Sequence, residues 1–160
     1  MRTVGVILII ASSYLFAAVL TREGEEKTKE LYALVGFLRY AKERASCLFE
    51  PPAVTAESYS DPFLERTGFL PGLRAGKGVT AAVSSLLSVL SLEGGERTEL
   101  RALAEGLVTA SVDGYVKGLG ALTALSEKIY LAKAEKQEKR SRAIKIAAVS
   151  AGLGLAILLV

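Results

Sequence analysis

The chain has 160 residues, of which 51% are hydrophobic, and it carries 20 Lys and Arg against 17 Asp and Glu. The net charge of +3 is small and the charges alternate in sign, so the composition argues against a nucleic-acid-binding protein. No His is present, which removes the usual general base at neutral pH and the commonest metal ligand. A mean hydropathy of +0.36 is high for a soluble protein, and the apolar residues are concentrated at the two ends. The length allows one domain with anchoring segments.

The first apolar segment, residues 3–20, has no charged residue and reads TVGVILIIASSYLFAAVL. As a helix it would be about 27 Å long, close to the bilayer's hydrocarbon thickness of about 30 Å. The pattern therefore predicts a transmembrane helix within residues 1–21. The alternative is a cleaved signal peptide, although the apolar stretch is long and no clear A-x-A cleavage site follows it.

The second apolar segment lies at the other end, within residues 143–160. Its fully apolar part, 146–160, would be roughly 22 Å long as a helix, which is short for a span. Arg142 and Lys145 extend it if their charged groups reach the membrane surface. We therefore predict a second transmembrane helix here.

The distribution of Lys and Arg predicts the orientation of the two spans. Six basic residues precede the second span, namely Lys133, Lys136, Lys139, Arg140, Arg142 and Lys145. Arg22, Lys27 and Lys29 follow the first span, whereas Arg2 alone precedes it. By the positive-inside rule, residues 22–142 form a cytoplasmic domain, and both termini lie outside.

The cytoplasmic domain is predicted to be all-α, because no stretch alternates apolar and polar residues as a half-buried strand does. Its first helix carries apolar residues at steps of three and four and ends at Glu50-Pro51-Pro52. This apolar stripe consists of Leu31, Leu34, Val35, Leu38, Ala41, Ala45 and Leu48. Asp61-Pro62 predicts the N-cap and first residue of another helix, with Gly68 as its stop.

Further helices are predicted in the second half of the domain. Residues 71–78 contain a proline and three glycines and are expected to form a loop. A helix over 80–90 is expected to close at Glu93-Gly94-Gly95, and the next to begin near Thr98. A long last helix, capped by Asp113, is expected to run towards the second span. Its seam of Leu122, Leu125, Ile129 and Ala132 suits a partner helix.

No catalytic residue, cofactor site or metal site is predicted. Residues 71–78 lack the first glycine and the Ser or Thr of a phosphate-binding loop, and the carboxylate pairs lie on charged helix faces where nothing raises a pKa. A Ser–Lys dyad has no supporting motif, so the chain is predicted not to be an enzyme. The single cysteine, Cys47, ends an apolar helical pattern and is expected to be a buried core residue.

The chain resembles the stage III sporulation protein AB family over nearly its whole length. The residues that carry the likeness are the apolar segment from Gly5 to Ala18, LVGFLRYAKERASCLFEPPAV with its proline turn, and SAGLGLAILLV. The family pattern also has a glycine followed seven residues later by an aspartate, as at Gly106 and Asp113 in LAEGLVTASVDG. Here Glu105 stands where an aromatic residue is usual.

The resemblance implies a non-enzymatic platform or scaffold, similar to the platform subunits of type II secretion and type IV pilus machines. It implies a place in the mother-cell membrane around the forespore, in a channel complex between the two cells. The expected partners are the ATPase stage III sporulation protein AA and further membrane components, with Gly106 and Asp113 as the candidate contact. We also expect self-association, because the 31–48 stripe and the 122–132 seam need covering.

Two alternatives remain open from the residues alone. The chain could be a membrane-anchored helical adaptor or regulator unrelated to sporulation, which fits the same pattern of anchors and helices. A membrane-embedded enzyme is the second alternative, and the residue inventory disfavours it.

Overall fold

The computed structural model describes residues 2–107 and 111–159. All the regular elements in these residues are helices, which confirms the all-α prediction. Their bounds are α1 Arg2–Leu48, α2 Pro52–Glu57, α3 Pro62–Arg66, α4 Phe69–Arg74, α5 Val79–Val89, α6 Gly94–Gly106 and α7 Val112–Leu159.

The chain divides into two compact units. The terminal unit consists of Met1–Thr28 and Ala132–Val160, and the central unit consists of Lys29–Leu131. The boundaries predicted from the sequence, 21/22 and 142/143, mark where lipid would begin and remain predictions.

The core of the central unit is built on the predicted stripe of α1. Leu31, Leu34, Val35, Leu38, Ala41 and Ala45 are all buried, which confirms the helical periodicity as far as Ala45. Phe37 joins them and packs edge-to-face on Phe69, with ring centroids 5.1 Å apart. Three residues of the α7 seam are covered within the chain, because Leu122 and Ile129 are buried in the same cluster and Leu125 packs against it, whereas Ala132 is exposed. Two apolar faces offered above as a reason for self-association are therefore largely filled by the chain itself.

Short helices close this core, and Arg74 holds three of them together. The Arg74 Nε donates to the Ala56 carbonyl at 2.9 Å and Nη2 donates to the Tyr59 carbonyl at 2.8 Å. The same guanidinium donates to both carboxylate oxygens of Glu65, at 3.0 and 2.6 Å. Asp61 caps α3 as predicted, since its carboxylate accepts from two backbone amides at 2.9 and 3.0 Å.

Two helix boundaries differ from the prediction. Residues 71–78 were predicted to be a loop, but α4 continues to Arg74. Pro71 is tolerated because it lies in the first turn, where its missing amide has no intrahelical acceptor. Gly94 and Gly95 open α6 rather than ending the preceding helix, because Glu93 and Glu96 form a capping box around them.

The end of α1 also corrects the prediction. Cys47 is exposed, not buried, and Leu48 is exposed as well. The apolar periodicity continues to Leu48, but packing against the rest of the core stops near Ala45. Helical spacing reports which residues share a face, and it does not report where the neighbouring elements end.

In the terminal unit, α1 and α7 contact each other through small and polar side chains. The Gln137 Nε2 donates to the Thr21 carbonyl at 3.1 Å, and Ala17, Thr21 and Ser141 are buried. Large apolar side chains point outwards on both helices, among them Leu15, Phe16, Val19, Leu20, Ile146, Leu153, Leu155 and Ile157.

Across the residues that the structure describes, we find no helix with both the length and the apolar character needed to cross a membrane. Parts of the two predicted spans lie outside the described residues. These are residues 1 and 160 entirely and the side chains at 2, 3, 4, 6, 9, 10, 156, 158 and 159.

Candidate partner-contact site

The predicted contact residues lie at the junction of α6 and α7. Gly106 is the last residue of α6, and Asp113 is in the first turn of α7. Both are exposed. Residues 108–110, which connect them, lie outside the described part of the chain. The structure therefore places the two residues on different helices near one connection.

Gly106 has a φ that is not positive, and a Cβ built on it would meet no atom of the described residues within 4 Å. No described neighbour therefore requires a glycine at this position.

The cap of α7 is Ser111 rather than the predicted Asp113. The Ser111 hydroxyl accepts from the Gly114 amide at 3.3 Å, and the Ser111 carbonyl accepts from the Tyr115 amide at 2.7 Å. Asp113 lies two residues further on, inside the helix, where its negative charge is favourable near the positive end of the helix dipole. Its carboxylate is thus not committed to capping.

Two apolar side chains anchor this junction in the core. Leu107 is only 4% exposed, and a Cβ at Gly118 would lie 2.5 Å from its Cδ2 atom, so a larger residue at Gly118 would require the Leu107 side chain to shift. Tyr115 packs against the core cluster, and burial raises its pKa to about 12. Leu107 and Tyr115 fix the junction, while Gly106 and Asp113 remain on its outer surface.

A second surface, which the sequence did not reveal, lies after α1. Leu48, Phe49 and Val54 are all exposed, Phe49 to 71%, and we call these three residues the Phe49 patch. Phe49 also has a φ of 53°, a left-handed conformation that is costly for a bulky residue. Leu48 and Phe49 are adjacent in the chain and Val54 follows five residues later, and exposed apolar side chains that lie together are typical of a protein contact. The sequence feature that corresponds to this surface is Phe49-Glu50-Pro51, where an apolar residue directly follows the last residue of α1.

The patch is bordered by a polar contact. Arg44 donates from Nε to the Tyr40 hydroxyl at 2.9 Å, and its Nη1 lies 3.3 Å from the Glu50 Oε1. These interactions raise the pKa of Arg44, chiefly through the hydrogen bond to Tyr40, so its charge is retained at any physiological pH. Arg44 and Glu50 hold the chain where it leaves α1 and so fix Phe49 in its exposed position.

Among the described residues, no group of three or more Cys, Asp and Glu side chains is placed to hold a metal ion. An ion pair from Arg39 Nε to Glu127 Oε1 at 2.5 Å joins α1 and α7 within the central unit.

No protein-family model, curated protein or solved structure matches the chain in comparison.

Proposed function

We propose that the chain is a non-enzymatic membrane platform, anchored by residues 3–20 and 146–160, whose central unit binds a protein partner in the cytoplasm. The observation that carries the proposal is the outward-facing apolar surface of the terminal unit. Val19 is 70% exposed and Phe16 65%, and Ile157 near the other end is 77% exposed. Water is a poor solvent for so many large apolar side chains, and lipid would cover them.

The charge pattern supports the same proposal. No Asp or Glu occurs in residues 1–22 or 139–160, whereas acidic and basic side chains alternate in between. The exposed ion pairs Arg22–Glu26, Lys27–Glu23, Lys139–Glu135 and Arg142–Glu138 begin where the apolar segments end. This change from apolar to charged surface is typical of a helix that leaves a bilayer.

Within this proposal, the partner is an ATPase such as stage III sporulation protein AA, and the setting is the mother-cell membrane around the forespore. The resemblance in the sequence motivates this assignment. Gly106, Asp113 and the Phe49 patch are the surfaces of the central unit offered to the partner. An operon of sporulation genes that begins with an ATPase gene would support this setting, and its absence would favour the unrelated membrane-anchored adaptor.

Extraction of membranes at alkaline pH tests the anchoring. Cells expressing the full chain should retain it in the membrane pellet after carbonate washing. Deleting residues 3–20 or residues 146–160 alone should leave the protein in the pellet, because one anchor remains, and deleting both should release it. Release of the full chain by carbonate would overturn the proposal.

A further inference from the structure

The contacts within the terminal unit define the register of α1 against α7, that is, which residues of the two helices lie at the same height along the pair. The Gln137 side chain bonds the Thr21 carbonyl and occupies the space that a Cβ at Gly24 would fill. One turn away on each helix, Ala17 and Ser141 are buried. These observations indicate an antiparallel pair, with Thr21 level with Gln137 and Ala17 level with Ser141.

In this register, basic residues of α7 lie beside the apolar part of α1. Arg142 lies near the level of Phe16, and Lys145 lies almost one turn further towards the end of the chain. Around them, Leu15, Phe16 and Val19 expose their side chains on α1, and Ile146 does so on α7. Arg142 itself is exposed and Lys145 is half-buried. The two cations therefore lie at the same height along the helix pair as residues of the proposed first span.

The chain supplies little negative charge at this level. Glu138 pairs with Arg142 at 2.6 Å. It lies one turn before Arg142 on α7, towards the proposed cytoplasmic domain. The next acid on α1 is Glu23, whose pKa is lowered chiefly by its hydrogen bond to Lys27 and slightly by Arg140. No Asp or Glu is present nearer to Lys145 on either helix in this unit. Arg142 has Glu138 as its partner, whereas Lys145 has no Asp or Glu within a turn of α7. A cation beside an apolar surface is costly without an anion, so an anion from outside the chain would stabilise Lys145 and add to the single partner of Arg142.

We propose that Arg142 and Lys145, with Arg140 at the edge, bind the phosphate groups of anionic phospholipids in the cytoplasmic leaflet. This inference rests on the proposed membrane anchoring and names the lipid chemistry that the anchor recognises. The long side chains extend along the helix and bring their charged ends to the phosphate level while their methylenes stay among the acyl chains. Anionic lipids of the cytoplasmic leaflet attract basic residues next to a span.

The experiment uses the full chain in detergent, mixed with equimolar phosphatidylglycerol and phosphatidylcholine, and native mass spectrometry counts the bound lipids of each kind. The wild-type chain should bind phosphatidylglycerol preferentially. The double variant R142Q/K145Q should lose most of that preference, by roughly fivefold for each cation removed. The matched control K133Q/K136Q removes the same charge from α7 on the other side of Gln137 and should change the preference less than twofold.

Three outcomes would overturn the inference: no preference in the wild-type chain, an unchanged preference in R142Q/K145Q, or an equal loss in the control. Loss of the preference in a molar excess of inorganic phosphate would also overturn it, because the site would then bind free phosphate rather than lipid. Insertion into phosphatidylcholine vesicles, measured separately by resistance to carbonate, distinguishes the two proposals. A chain that inserts without lipid preference refutes the lipid site alone, whereas a chain that does not insert into vesicles of either lipid refutes the anchoring as well.

Discussion

Replacing Arg74 should loosen the part of the central unit that connects α2, α3 and α4. In the Arg74→Met variant the side chain keeps much of its volume but loses both hydrogen bonds to backbone carbonyls and the paired bonds to Glu65. Hydrogen bonds that involve a charged group contribute about 1.5–3 kcal/mol each. The lower value applies here because Arg74 is 31% exposed, so water replaces part of the lost interaction.

The expected loss for Arg74→Met is therefore about 3 kcal/mol, mainly from the two carbonyls at Ala56 and Tyr59. The bond to Glu65 adds less than about 1 kcal/mol, because this ion pair is partly solvated. Arg74→Lys should lose roughly half as much, since a single ammonium group cannot reproduce the fork of a guanidinium. Glu65→Gln should have the smallest effect, because Arg74 still reaches both carbonyls.

Hydrogen–deuterium exchange of the full chain measures this loosening locally. Peptides covering residues 52–75 should exchange roughly a hundredfold faster in Arg74→Met, the ratio that corresponds to about 3 kcal/mol. The control is Arg66→Met, which removes the same charge from an exposed position on α3. Equal exchange in the two variants would refute the view that Arg74 joins these helices.

Three further predictions concern the partner surfaces and the α6–α7 junction. Asp113→Asn should weaken binding of the proposed partner ATPase without lowering the melting temperature, whereas Ser111→Ala should lower stability by about 1 kcal/mol and leave binding unchanged. The opposite pattern would return Asp113 to a capping role. Phe49→Asn should weaken the same binding without loss of stability, because asparagine tolerates the left-handed conformation better, and unchanged binding would remove the patch from the interface. Stability should fall as the pH rises from about 10 to about 12, because the folded state raises the pKa of Tyr115 and so disfavours the phenolate. Tyr115→Phe should reduce that fall in urea titrations, and an identical pH profile in the variant would contradict it.

Local signals in the sequence predicted helix positions well where a single pattern, such as apolar spacing or a capping residue before proline, acts alone. The spacing of the α1 stripe as far as Ala45 and the Asp61-Pro62 start of α3 are of this kind. The errors came where two signals compete. Gly94-Gly95 predicts a helix stop, although the Glu93–Glu96 capping box makes it a helix start, and Asp113 is the predicted cap of α7, where the structure has Ser111.

Tertiary packing explains the remaining differences. Cys47 and Leu48 continue an apolar pattern, yet none of the described elements of the central unit covers them, and spacing alone does not predict that. The Arg74 bonds link residues 9 to 18 positions apart, so they depend on a chain path that the sequence pattern does not specify. Of the candidate site, the sequence predicted two residues that are exposed at one junction, and it did not predict the Phe49 patch.

The central claim is that the chain is anchored at both ends with its central unit in the cytoplasm. Labelling with a membrane-impermeant thiol reagent tests this claim in intact and permeabilised cells. Cys47 is exposed and would react, so Cys47→Ser is the background, and the single probe is a cysteine at exposed Ser60. A cysteine added after residue 160 provides the matched probe for the opposite side. We expect the Ser60 probe to react only after permeabilisation and the terminal probe to react in intact cells. Labelling of the Ser60 probe in intact cells would contradict the proposed topology.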